Sequence, residues 1–247
     1  MFQVKGDQII GARTRQEDSF RIEQLDTTAQ HLMVITDGMG GHAGGAQASR
    51  IVADSFVDAW LGGEGTTVDR LHDALFYAND QVARAIEDDP ELVDMGTTLL
   101  ACVLDGSELS WLSVGDSILW VYRDGKLLRI NDDHSMAPVI DGLVEIGRMT
   151  PEEAANDPRR NQLRSVVTGE DIPLIDISKT PLVLEDGDIL LLATDGILTL
   201  SEDEIIAVLR DSRTAGPEAC AGAIFAAIES HAEPQQDNTT LIVASQD

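Results

Sequence analysis

The chain has 247 residues, 43% of them hydrophobic, which suits one sizeable core and excludes a disordered chain. Seventeen Lys and Arg stand against 44 Asp and Glu, a formal net charge of −27 that repels phosphate backbones and anionic membrane surfaces, so nucleic acid and membrane are excluded as expected partners, while cations and basic protein segments are favoured. Cys102 and Cys220 have neither metal-ligand spacing nor the numbers for a disulfide scaffold, no apolar run approaches the ~18 residues of a membrane span, and Met1–Ile10 carries no leader pattern, so a cytoplasmic location is expected.

Leu32–Thr36 is short, apolar and β-branched, and reads as a strand ending at Asp37. Between Ala48 and Trp60, Ile51, Val52, Phe56, Ala59 and Trp60 share one helical face. Leu71, Leu75, Ala78, Val82 and Ile86 do the same in the next segment. Strands follow at Thr97–Leu104, Glu108–Val114, Ile118–Tyr122 and Lys126–Ile130, with Asp105-Gly106 and Asp124-Gly125 as hairpin turns between them. The segment from about His134 to Val167 is more polar and helical and reads as a smaller subdomain or lid. Within it, Thr150-Pro151-Glu152-Glu153 combines an N-cap, a first-turn proline and a capping-box glutamate. Asp188–Ala193 is a strand ending near Asp195, Ser201 and Glu204 open a helix through Leu209, Pro217–Ile228 is a last helix, and Thr239–Ala244 is a last strand. Strict alternation of strand and helix is absent, so antiparallel sheets covered by helices fit better than a doubly wound parallel sheet.

Four aspartates share one context, the rim of an apolar strand: Asp37, Asp116, Asp195 and Asp237. Three have a glycine beside them, Gly38, Gly115 and Gly196, which permits tight turns and close backbone approach. One Asp-Gly alone is usually a turn, and Asp105-Gly106, Asp124-Gly125, Asp141-Gly142 and Asp186-Gly187 are read that way. Several carboxylates gathered at the edge of a core repel one another and resist desolvation, and a hard divalent cation removes both costs. Magnesium and manganese favour such oxygen ligands. Gly38 to Gly45 holds five glycines in eight residues, a flexible entry to the next helix or a cradle for phosphate, yet neither a Rossmann fingerprint nor a Walker lysine accompanies it.

Six ordered blocks now carry a resemblance: Arg13-Thr14-Arg15-Gln16-Glu17-Asp18, Thr36-Asp37-Gly38-Met39-Gly40-Gly41-His42, Gly96-Thr97-Thr98, Val114-Gly115-Asp116-Ser117, Thr194-Asp195-Gly196-Ile197 and Asp237-Asn238-Thr239-Thr240. From Arg13 to Val243 the chain resembles the PPM family, the metal-dependent type-2C protein serine/threonine phosphatases, in their compact bacterial form. The resemblance implies an α+β fold, a four-layer αββα sandwich of two antiparallel sheets flanked by helices, as a single domain over residues 1–247 with a flap at about 132–178. It implies two Mn²⁺ or Mg²⁺ ions, with a third in bacterial relatives. Asp37 would bridge two metals and the Gly38 carbonyl would complete the second site. Asp195 and Asp237 would hold the first, Glu17 and Asp18 would serve the second, often through water, and Asp116 would hold the third with Asp195. Arg13 would grip the phosphate. The implied reaction is hydrolysis of phosphoserine or phosphothreonine by a metal-bridged water, opposing a bacterial Ser/Thr kinase on phosphorylated proteins, with the enzyme a monomer.

Three positions depart from the family pattern. Met39 stands where many members have a histidine proposed as general acid, which leaves His42 as a candidate acid or a structural residue. Ile118 stands where arginine usually follows the Gly-Asp-Ser block. Arg15 replaces a more usual asparagine and adds positive charge near the phosphate. Two other readings stay open: a non-catalytic binding module of the same fold, and a phosphatase of a phosphorylated anti-sigma antagonist.

Overall fold

Strands whose every residue is apolar need cover on both faces. The computed structural model, which describes residues 2–25, 30–40 and 44–246, supplies it with four layers. In chain order the elements are β1 (Phe2–Ile9), β2 (Asp18–Leu25), β3 (Gln30–Met39), α1 (Gly44–Gly62), α2 (Thr67–Asp88), β4 (Gly96–Thr97), β5 (Leu99–Asp105), β6 (Glu108–Val114), β7 (Ile118–Arg123) and β8 (Lys126–Arg129). Then come α3 (Ala137–Glu145), α4 (Pro151–Ala155), β9 (Asp176–Ile177), β10 (Leu182–Val183), β11 (Ile189–Ala193), α5 (Glu202–Ser212), α6 (Pro217–His231) and β12 (Thr239–Gln246). One sheet has the order β1-β12-β11-β7-β8, the other β10-β6-β5-β3-β2, with β4 beside β3 and β9 beside β6. All of these pairings are antiparallel.

The period-2 alternation of side chains sorts each strand between two cores. In β3, Met33 and Ile35 face the second sheet while Leu32 and Val34 face helices α1 and α2. In β11, Leu190 and Leu192 point between the sheets, and Ile189, Leu191 and Ala193 point to α5 and α6. Such a side chain, fully withdrawn from water, contributes about 1.5–3 kcal/mol, so the strand ends rest on a rigid base. Cys102 is buried between the sheets and Cys220 under α6, both as free thiols.

Local rules set the helix starts. Thr150 with Glu153 and Ser201 with Glu204 form the expected capping boxes, opening α4 and α5. A third, Thr66 with Asp69, opens α2; each is worth about 1 kcal/mol. The turns at Asp105-Gly106 and Asp124-Gly125 join β5 to β6 and β7 to β8. Asp141-Gly142 is a correction: both residues lie inside α3, where Asp141 pairs with Arg160 at 2.7 Å instead of making a turn. The expected strand at Thr97–Leu104 is divided at Thr98, and the reason lies at the site.

Candidate metal centre

Each acidic residue reaches the site from a strand end. Asp18 opens β2 directly opposite Asp37 in β3. Asp195 follows β11, and Asp237 precedes its neighbour β12. Asp116 sits in the turn between β6 and β7. Arg13, Glu17, Asp37, Asp116, Asp195 and Asp237 thereby line one cleft of about 680 Å³. Asp18 lies behind it, 5% exposed, with Oδ2 accepting hydrogen bonds from the Thr194 and Thr240 hydroxyls at 2.8 Å each. That contact ties one sheet to the other and leaves Oδ1 as the oxygen for a metal or its water.

Threonines and asparagines hold the cluster. The Thr98 hydroxyl accepts the Asp37 amide at 2.9 Å and shares a 2.8 Å bond with Ser117. The Thr97 hydroxyl and the Thr98 amide both donate to the Asp37 carbonyl, at 2.8 and 2.9 Å. This double engagement is what divides β4 from β5. Asn238, 4% exposed, receives the Glu17 amide at 2.8 Å and donates to the Ile10 and Arg15 carbonyls at 2.8 and 3.0 Å, so it fixes the loop that carries Arg13 and Glu17. Gly38 allows the closest approach: a Cβ there would lie 2.1 Å from the Gly45 carbonyl oxygen of α1. Gly115 has φ +107°, and a Cβ would strike the Thr98 side chain at 2.6 Å.

The residues expected at the site are brought together, with two refinements. Arg13 pairs with Asp237 through Nη2, so the expected phosphate group already leans over a carboxylate of the rim. Ile118 is buried under the sheet, 1% exposed, and the missing cation comes instead from β8: Arg129 donates to the Asp116 carbonyl at 3.0 Å and to Asp133 at 3.1 Å. His42 lies outside the described residues. Arg15 stands beside Arg13 on the exposed loop. Among structural supports, Thr98, Thr194, Asn238 and Thr240 were visible in the motif blocks without a role attached. Asn131, which donates to the Ser117 carbonyl at 2.9 Å and accepts the Leu119 amide at 2.9 Å, gave no signal in the sequence at all.

Electrostatics define what the cluster needs. Burial pushes the Asp18 carboxyl up to about 7, against its threonine bonds and with help from the charges of Asp195 and Asp237. Burial, then the charges of Asp195 and Asp133, raise Asp116 to about 7. Asp37 is pushed well above the carboxylate range by burial and by four neighbouring aspartates. Burial and the Asp237 charge raise Asp195, while Arg13 and a hydrogen bond with Asp37 oppose this. Such a set is unfavourable alone and favourable around a dication. Every donor is oxygen, which selects a hard cation. The carboxylates line an open cleft and do not close a cage: among the described residues no three His, Cys, Asp or Glu gather tightly enough to enclose an ion by themselves. Mg²⁺ and Mn²⁺ suit that arrangement because they retain several waters.

An αββα sandwich with an oxygen-lined acidic cleft at its strand ends defines a metal-dependent hydrolase class. The family profile described as protein phosphatase 2C matches residues 5–220, and the chain belongs to that family. It is 35% identical over 178 residues to the serine/threonine protein phosphatase PstP of Mycobacterium tuberculosis, covering 71% of this chain and 33% of that one, so it spans about a third of that relative's length. It is 28% identical over 226 residues to the serine/threonine phosphatase stp of Listeria monocytogenes, covering 88% and 85%. A crystal structure of the catalytic domain of PstP in complex with two manganese ions superposes with a TM-score of 0.76 at 30% identity, over 99% of this chain and 97% of that one. The cofactor of the fold is accordingly Mn²⁺ or Mg²⁺. Among the described residues no helix is long and apolar enough to cross a membrane.

Proposed function

We propose that this protein hydrolyses phosphoserine and phosphothreonine esters in proteins, as a single catalytic domain over residues 1–247 with the segment 132–178 as its flap. The observation that carries this is the convergence of Arg13, Glu17 and four aspartates on one cleft. Asp37 would be shared by two cations with the Gly38 carbonyl, Asp195 and Asp237 would complete the first, Glu17 and the free oxygen of Asp18 would serve the second, and Asp116 with Asp195 a third. When bound, the cations supply Lewis-acid polarisation of the phosphoryl group and lower the pKa of water.

The side chains perform the rest. Arg13 is more than half exposed and uses one of its five N–H donors on Asp237, leaving others to hold the phosphoryl oxygens as charge builds on them. Asn238 keeps that arginine and Glu17 at a fixed distance from Asp237. Water adds to phosphorus, the bond to the serine or threonine oxygen breaks, and that oxygen takes up a proton. His42, on the glycine-rich segment between Met39 and α1, is the proposed proton donor. The chain's partners are proteins phosphorylated by a Ser/Thr kinase, met in the cytoplasm by a monomer.

The test is direct. Purified protein with Mn²⁺ is expected to turn over p-nitrophenyl phosphate and a phosphothreonine peptide, and EDTA to abolish both. Unchanged turnover in Asp195→Asn would overturn the ligand assignment. His42→Ala is expected to lower kcat and remove the acidic limb's upper boundary from the pH profile; an unaltered profile assigns the proton to another donor.

A further inference from the structure

The cleft has two unlike walls. One is the acidic rim with Arg13. The other is a stretch of irregular chain after α4, where Asn161, Gln162, Leu163 and Val166 face the rim. That wall is held by backbone bonds from Met136 to the Gln162 carbonyl at 2.9 Å and from Arg164 to the His134 carbonyl at 2.8 Å, with a β-bridge between Ser135 and Leu163. Its side chains are left for something else: Asn161 and Gln162 are exposed, and neither carboxamide has a partner among the described residues. The arginines just before them are neutralised. Arg159 pairs with Asp157 at 2.7 Å and Arg160 makes two bonds to Asp141, at 2.7 and 3.0 Å. Arg164 does not line the cleft. The wall is therefore uncharged, with two carboxamides beside two aliphatic side chains.

Resting on the phosphatase reading above, we propose that Asn161 and Gln162 bind the main chain of an extended phosphopeptide, and that Leu163 and Val166 receive aliphatic side chains next to the phosphoresidue. A carboxamide offers one acceptor and two donors, the complement of a peptide unit in extended chain. Aliphatic neighbours gain contact area on the wall. Acidic neighbours gain nothing from it and meet the field of a chain with net charge −27. These two residues are thus specificity-determining for the protein substrate. The volume of about 680 Å³ holds a phosphoresidue with its flanking side chains.

The experiment compares three substrates with Mn²⁺ present: p-nitrophenyl phosphate, a phosphothreonine peptide with aliphatic flanks, and the same peptide with acidic flanks. Turnover of p-nitrophenyl phosphate by the unaltered protein tests the phosphatase reading by itself; its absence overturns both. The double variant Asn161→Ala/Gln162→Ala is expected to lower the ratio of kcat/KM on the aliphatic peptide to kcat/KM on p-nitrophenyl phosphate by about tenfold, with the loss carried in KM. Gln162→Lys is expected to raise kcat/KM on the acidic peptide relative to the aliphatic one by about threefold or more. A ratio within about twofold of the unaltered protein in the first variant, or no shift in peptide preference in the second, overturns the proposal.

Discussion

The two walls of the cleft are built by opposite means. The acidic rim stands on strand ends: Asp18, Asp37, Asp195 and Asp237 leave β2, β3, β11 and β12 where both faces of each sheet are buried. Its carboxyls are desolvated, mutually repelling and locked by threonine and asparagine bonds. The flap wall is irregular chain, exposed and neutral, held by a few backbone bonds and by arginine–aspartate pairs that cancel their own charge. A rim that must place metal-binding oxygens to within fractions of an ångström needs a rigid base, whereas a wall that meets varied peptides does not. The chemistry and the choice of substrate are thereby assigned to different kinds of structure.

Removing charge from the rim is expected to have the largest effect. Asp37→Asn, or EDTA on the unaltered protein, is expected to lower kcat/KM for p-nitrophenyl phosphate by about 10²–10³-fold or more, restored by Mn²⁺ only in the EDTA case. Asn238→Ala is expected next: three backbone groups lose a buried partner, which costs about 2–4 kcal/mol in denaturant unfolding, and the freed Arg13 loop raises KM as well. A rim that tolerated this change would be less dependent on its polar scaffold than the bonds of Asn238 indicate.

A smaller effect is expected where the two walls are joined. Asn79 of α2 is buried, donates to the Glu170 carbonyl at 3.0 Å and accepts the Gly169 amide at 2.9 Å, where the flap segment returns to the sandwich. From there, Val167 exchanges backbone bonds of 2.9 and 3.1 Å with Thr97, whose hydroxyl holds the Asp37 carbonyl. Asn79→Leu is expected to cost about 1–3 kcal/mol of stability and to raise KM for a phosphopeptide more than for p-nitrophenyl phosphate. Equal effects on both substrates would show that the walls are not mechanically separable.

The smallest effect concerns pH. Asp18 titrates near 7 in the folded protein, above the ordinary carboxylate range of the unfolded chain. The folded state therefore holds the proton more tightly, and this group's contribution to stability, full below about pH 4, is lost as pH rises through 7. In EDTA, Asp18→Asn keeps an oxygen for the Thr194 and Thr240 hydroxyls and does not ionise. Its melting temperature relative to the unaltered protein is expected to rise between pH 5 and 8. A pH-independent difference would place the charge of Asp18 outside the energetics of the cluster.

The rim was largely legible because strand ends advertise themselves: an apolar run, then aspartate, then glycine. The same regularity made β6 readable from end to end at Glu108–Val114. What escaped were contacts between distant segments. β1 and β2 are mixed in polarity, being only partly buried, and gave no clean alternation. Asp141-Gly142 looked like a turn because local propensity favours one there, yet α3 overrides it. Asn79 and Asn131 bond to chain 90 and 14 positions away, and no window of sequence shows that.

By itself the sequence determined the chemistry of the site: the oxygen donors, the arginine and the order of motifs that place the chain in its family. These depend on residue identity beside local periodicity, which the linear chain displays. Tertiary structure alone decided how the donors are held and what faces them. It turned one oxygen of Asp18 inward to two threonines, supplied Arg129 where Ile118 had left no cation behind Asp116, and set the uncharged Asn161–Gln162 wall opposite the acidic rim. Each of these is a meeting of segments far apart in the chain, fixed by packing two sheets and two helix layers together, and no local property of the residues encodes it.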